Sequence, residues 1–212
     1  LVRRAWFQVY GPRMTLAGWL RRFLGGGWSA AVRGIWLDIC IALAVMVAGT
    51  AVGWLLVSRD DSWFHALVPG EVAGGRGPEA DAAALRQTLQ PEAGAEGLTM
   101  FAAYLFSNNT GVAIMAFALG FAFGIPTLLL LVYNMALLGA MLWVFVNAGL
   151  GWEFAAWLSV HGTTELGAIL LAGAAGVHVG RSMAFPGSRS VLAAAQGAGV
   201  RAAQVMAGCT LM

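Results

Sequence analysis

The sequence predicts an all-α protein. It reads as a polytopic transmembrane helical bundle with four spans, a truncated fifth, and interfacial or re-entrant helices beside them. Three observations carry this. Residues 111–150 are forty residues without one charged side chain. At a helical rise of about 1.5 Å per residue they would run roughly 60 Å, twice a hydrocarbon core of roughly 30 Å. Gly124-Ile125-Pro126 interrupts that run near its middle, so two passes joined by a tight turn fit where one helix does not. The bulk composition agrees. It is 59% apolar and 10% charged, with a mean hydropathy of +0.76, whereas ordinary soluble domains carry about 25% charged residues.

From the first residue, 1–34 form a basic, amphipathic leader with Arg3, Arg4, Arg13, Arg21, Arg22 and Arg33 and no acid. Residues 35–57 are the first span; its one charge, Asp38, lies in the opening turn, can reach the interface, and reads as structural. Residues 58–97 are an extracytoplasmic polar loop of three Arg and seven Asp or Glu, rich in Gly and Pro. A short helix is expected within it, opening at Pro78 and running through Ala82 to Gln87. Residues 98–110 are apolar but end in Ser107-Asn108-Asn109, and read as an interfacial helix. Residues 111–150 form the transmembrane hairpin of spans two and three. Residues 151–182 begin as a re-entrant piece, with Trp152 and Trp157 as belt aromatics, then turn inward at His161-Gly162 to become span four. Residues 183–212 read as a cytoplasmic helix leading into a fifth span near Val205. The chain opens on Leu1 and stops within an apolar stretch, so both ends are expected to be truncated.

The positive-inside rule sets the count and orientation. With the leader in the cytoplasm the acidic loop lies outside, and four spans return Arg181, Arg189 and Arg201 to the cytoplasm. A single crossing over residues 111–150 would leave those three outside.

Few polar groups lie within the spans. Asn109, Asn134, His161 and Glu165 are expected to form an intramembrane polar network. A carboxylate near the midplane costs on the order of 3 kcal/mol, so Glu165 needs a partner or a place near an end. His161 is the nearest partner if both share one helical face. Such a network either fixes helix register or handles a proton or solute. Gly120 and Gly124, and Gly173, Gly176 and Gly180, form small-residue stripes that let helix backbones approach closely. They pack helices within one chain or between two copies, and a homodimer is slightly favoured.

Several function classes are excluded. A net charge of +2 without a basic-aromatic run does not suit nucleic acid. His161-Gly162-Thr163-Thr164-Glu165 lacks the His-Glu-x-x-His ligand spacing, and His65 and His178 do not complete a zinc set, so no metal is expected. Ser159 has no nucleophile elbow, and Gly25-Gly26-Gly27-Trp28 lacks the Lys-Ser/Thr end of a phosphate loop. No catalytic residue and no cofactor is expected. Cys40 and Cys209 read as two reduced, buried thiols.

Beyond these single motifs there is a longer pattern. Asn109 stands before span two, with Gly120 and Gly124 beyond. An apolar run leads to Tyr133-Asn134 and Gly139. His161-Gly162-Thr163-Thr164-Glu165-Leu166 comes next, and Ala172-Gly173-Ala174-Ala175-Gly176 stands behind it. With these residues the chain resembles the SpoIIM family, the stage II sporulation protein M group, closely over about residues 100–182. Met135 stands where members often carry Gly after the Asn of span three. The resemblance implies a multi-span bacterial inner-membrane protein whose namesake is similar to a scaffold for peptidoglycan-degrading enzymes. The expected function is therefore a non-enzymatic membrane scaffold or assembly component, meeting the lipid bilayer and envelope partners through residues 58–97. The alternative is a permease or transporter-like protein with a polar site at the helix breaks.

Overall fold

In the computed structural model, residues 15–89 and 95–210 are described, without the side chains of Leu16, Trp19, Glu71, residues 95–105 and His161. Every regular element among them is helical. Residues 1–14 of the basic leader lie outside the described residues. The remainder of the leader folds as helix α1 (Leu16–Arg22), a wide turn over Phe23–Gly27, and α2 (Trp28–Arg33). The turn is possible because Gly26 takes φ 126°, a left-handed value that costs a glycine nothing.

Among the described residues, three helices are long and apolar enough to cross a membrane: α3 (Trp36–Arg59), α8 (Ile125–Asn147) and α10 (Thr163–Ala184). Between them, α7 (Ala95–Ala118) is 24 residues long, or about 36 Å. It therefore runs unbroken through the boundary expected at residue 110. Asn108 and Asn109 cost it little, because Asn109 is bonded to a neighbouring helix instead of competing for its own backbone. After a short 3₁₀ turn over Leu119–Phe121 the chain reverses with Phe123 at φ 60° and Gly124 at φ 80°, and Pro126 stands in the first turn of α8.

Helix α10 is the hub. Every residue from Ala172 to Gly180 is buried, so the helix has no lipid-facing stripe at that depth and is built from small side chains. Helices α3, α7, α8 and α11 (Val191–Cys209) pack around it. Ser190 caps α11 by accepting from the Ala193 amide at 3.2 Å. This last helix is continuous through Val205, where a fifth span was expected to begin. It packs on α10 and on α2, where Trp28 Nε1 donates to the Val205 carbonyl at 3.4 Å. Cys209, on α11, is half-buried, but Cys40 is exposed on α3. The expectation of two buried thiols is corrected for Cys40, whose helix turns that face away from the bundle.

The polar loop is a folded cap. It holds α4 (Ser62–Leu67), α5 (Gly70–Ala73) and α6 (Ala82–Leu89). Asp60 Oδ1 accepts from the Ser62 amide at 2.9 Å, and the Ser62 side chain together with that amide holds the carboxyl below its usual range. The short helix opens at Ala82 and not at Pro78, because Asp81 Oδ1 accepts from the Ala84 amide at 2.7 Å and supplies the N-cap. Phe64, Val68 and Leu85 are buried against Val144, Phe145 and Leu150 at the cap end of α8, and against Phe154 of α9 (Gly151–His161). Phe145 and Phe154 stack with ring centroids 4.5 Å apart.

Candidate functional site

Close packing and open space divide the bundle. Away from the cap the helices touch through backbone. A Cβ on Gly120 would overlap the backbone of Gly176, and one on Gly180 would overlap Gly124. Leu131, fully buried, seats its side chain on Gly173. A second seam joins α3 to α8: a Cβ on Gly49 would stand 2.7 Å from the Val132 carbonyl oxygen, and Gly53 and Gly139 have no more room. The pattern Gly49-x-x-x-Gly53 was visible in the first span and could have found this seam. The expected glycines Gly120, Gly124, Gly173, Gly176 and Gly180 all lie at contacts within the chain, so this stripe offers no bare face to a second copy.

Asp38 meets His178 and Arg181, about 140 positions further along the chain, at that same end. Asp38 is 1% exposed. Its Oδ1 accepts from Arg181 Nε at 2.7 Å, and its Oδ2 accepts from Arg181 Nη2 at 3.1 Å. Facing this carboxylate, His178 Nδ1 lies 2.8 Å from Oδ2 and carries the proton between them. The expectation that Asp38 reaches the interface is therefore corrected: α10 brings two donors to it, and burial with three hydrogen bonds replaces solvation. Each residue was legible as an ionisable group in or beside a span, which calls for a partner. Their separation of about 140 positions hid the pairing.

Towards the cap, α7, α8, α9 and α10 diverge around a cavity of about 670 Å³. Its polar wall is a chain of amides ending on a carboxylate. Asn108 Nδ2 donates to Asn109 Oδ1 at 3.3 Å, and Asn109 Nδ2 donates to Glu165 Oε2. Asn134 faces the same space; its Nδ2 is buried and meets no hydrogen-bond partner among the described residues. A buried donor left unpaired costs about 1–3 kcal/mol. Arg76 comes down from the cap to the rim, with its guanidinium 5.9 Å from the Trp157 ring centroid. Burial there lowers its pKa from the usual arginine value. The rest of the wall is largely apolar, from residues such as Leu130, Leu138, Met141 and Ile169.

Three of the four expected network residues, Asn109, Asn134 and Glu165, thus line one cavity. His161 ends α9, and Gly162 stands between it and α10. The partner of Glu165 is Asn109 on another helix, and the His161 side chain lies outside the described residues. Among the described residues, no three His, Cys, Asp or Glu side chains gather as a metal site requires. The arrangement can bind and orient a ligand through donors, one carboxylate and one guanidinium.

The family model of Stage II sporulation protein M, SpoIIM, matches residues 42–212. The chain belongs to the SpoIIM family. Among curated proteins and solved structures nothing matches it. The SpoIIM match runs from the first turns of α3 to the chain end, and so includes the whole cavity and the His178 and Arg181 half of the charged cluster.

Proposed function

We propose that this SpoIIM-family protein sits in the bacterial inner membrane with its basic leader in the cytoplasm. It works without catalysis, as a permease-like component that takes a small amphipathic ligand into the cavity beneath its cap. The observation that carries this reading is the asymmetry of the bundle. Space of about 670 Å³ lies on the cap side, and glycine-to-backbone contact with the Asp38 cluster closes the other. Small-molecule sites have this character, roughly 300–1,000 Å³ with a few convergent polar groups on an apolar wall. Polar groups beside broken helices are also how transporters build sites near the midplane. The positive-inside rule puts the cap outside, so the cavity faces outward. Leu137→Trp fills the cavity from its wall. In proteoliposomes loaded with a pH-sensitive dye, wild type should pass a solute-dependent flux that this variant loses. A flux indifferent to filling, or no flux with any test solute, argues against the reading.

A second reading, a non-enzymatic scaffold for envelope partners, draws support from the cap. Phe64 and Leu85 anchor it to the bundle and leave Trp63 exposed on a fixed surface. Loss of crosslinked partners in Trp63→Ala, with an unchanged melting temperature, would favour it; unchanged capture would count against it. A homodimer would have to use a face other than the glycine stripe.

A further inference from the structure

We infer that the end of the bundle away from the cap holds an anionic phospholipid, with its phosphate at Arg33 and Arg201. This is independent of what fills the cavity. Two arginines far apart in sequence are brought together there. Arg201, on α11, reaches the junction of α2 and α3, where its Nη1 donates to the Gly34 carbonyl at 3.4 Å. Its guanidinium lies over Gly34 so closely that a Cβ there would stand 2.9 Å from Nε. Arg33 is the residue before, exposed, and makes no hydrogen bond or ion pair among the described residues. Arg189 adds a third cation: its Nη1 would lie 3.4 Å from a Cβ on Gly197, one turn of α11, about 6 Å, from residue 201.

Nothing nearby in the chain offsets these charges. Residues 1–34 and 182–212 contain no Asp or Glu. Asp38, the next acid along the chain from Arg33, already accepts from Arg181 and His178. The Gly34 carbonyl takes one N–H of Arg201 and leaves its charge uncompensated. Like charges gathered in this way repel one another, so an anion from outside stabilises the arrangement.

Depth and neighbours decide which anion. Helix α3 has 24 residues, about 36 Å, and overspans a hydrocarbon core of about 30 Å, so its ends lie at the interface. Gly34 precedes that helix by two residues, which puts the guanidinium over it at the level of lipid phosphates. Arg181 meets Asp38, and one turn further out from each lie Phe185 and Gly34. Phe185 and Trp36 are both exposed there. Such side chains suit the boundary between head groups and acyl chains, and a soluble anion gains nothing from them. A zwitterionic head finds no open carboxylate for its ammonium. The ligand is therefore a lipid with a net negative phosphodiester head, in the leaflet away from the cap. Arg33 belongs to α2 and Arg201 to α11, so the bound phosphate joins the leader to the last helix.

The test reconstitutes the full chain in nanodiscs of phosphatidylcholine and phosphatidylglycerol in equal parts. Retained lipid is counted by native mass spectrometry after release. Wild type should retain phosphatidylglycerol over phosphatidylcholine by about 25-fold, about fivefold for each of the two arginines, equivalent to about 1 kcal/mol each. Arg33→Ala and Arg201→Ala should each cut the preference about fivefold. Arg33→Ala has no described bond to lose, so its melting temperature in lipid-free detergent should stay unchanged, which separates lost lipid from misfolding. Arg21→Ala combined with Arg22→Ala removes two exposed charges from α1 and should leave the preference standing. A preference that falls as far in that control as in Arg33→Ala, or no preference in wild type, overturns the inference. Inorganic phosphate is the second probe. If it raises the melting temperature in an Arg33-dependent way while phosphatidylglycerol is not retained, the site takes a soluble anion and the lipid assignment fails.

Discussion

Replacing Arg181 by alanine should cost more stability than replacing Asp38 by asparagine, although the two residues share the same hydrogen bonds. Arg181→Ala removes the 2.7 Å and 3.1 Å bonds and strands Asp38, which is 1% exposed, with His178 as its remaining described partner. Removing one partner of a buried ion pair costs about 3–5 kcal/mol, because the other charge is left uncompensated. The Arg181 side chain is itself 42% exposed, so part of its attraction is screened and the low end, about 3 kcal/mol, applies. For a chain of this size about 1 kcal/mol moves the melting temperature by about 2–4 °C, so the midpoint should fall by about 6–12 °C. Asp38→Asn removes the charge in place of stranding it. The half-exposed guanidinium can turn to the interface, and the cost is about 1–2 kcal/mol of lost hydrogen bonding. The double variant should therefore melt above Arg181→Ala alone. Thermal unfolding in detergent, followed by tryptophan fluorescence, reads all three. Equal losses for the two single variants, or a double variant additive within about 0.5 kcal/mol, would refute the reasoning.

The packing sets three further outcomes. Gly53→Ala places a methyl against the Ala136 carbonyl of α8 and should destabilise the bundle by about 1–3 kcal/mol in the same melts; an unchanged midpoint would mean the seam is looser than described. Phe64→Ala empties a fully buried site between the cap and α8. It should cost about 3–5 kcal/mol of cap docking, seen as faster proteolysis within residues 58–89 while the bundle stays protected; equal acceleration in both regions would argue against a separately anchored cap. Asn134→Leu removes the orphan donor and should leave the ligand-free protein unchanged or more stable by about 1–3 kcal/mol; a clear loss of stability would mean the amide has a partner after all.

The cap shows where sequence patterns run out. Residues 58–97 are polar on average, and averaging conceals Phe64, Val68 and Leu85, which fall on one surface only after three short helices form. Gly162 closes one helix and opens the next between residues 161 and 165, a boundary that their spacing alone does not announce. Asn109 was recognisable as a polar group in need of a bond. Its partner could not be read, because the register between α7 and α10 depends on Gly120 and Gly176 meeting backbone to backbone.

What the chain determined by itself is what local chemistry determines. Apolar runs of spanning length, a Gly-Ile-Pro reversal and stripes of small residues are properties of neighbours in sequence, and the solvent acts on them directly. Partnership is different. Asp38 with His178 and Arg181, Asn109 with Glu165, and the open volume beside Asn134 exist only because neighbouring helices lock at one depth. A rise of about 1.5 Å per residue means that a slip of a single residue would separate every one of those groups from its partner.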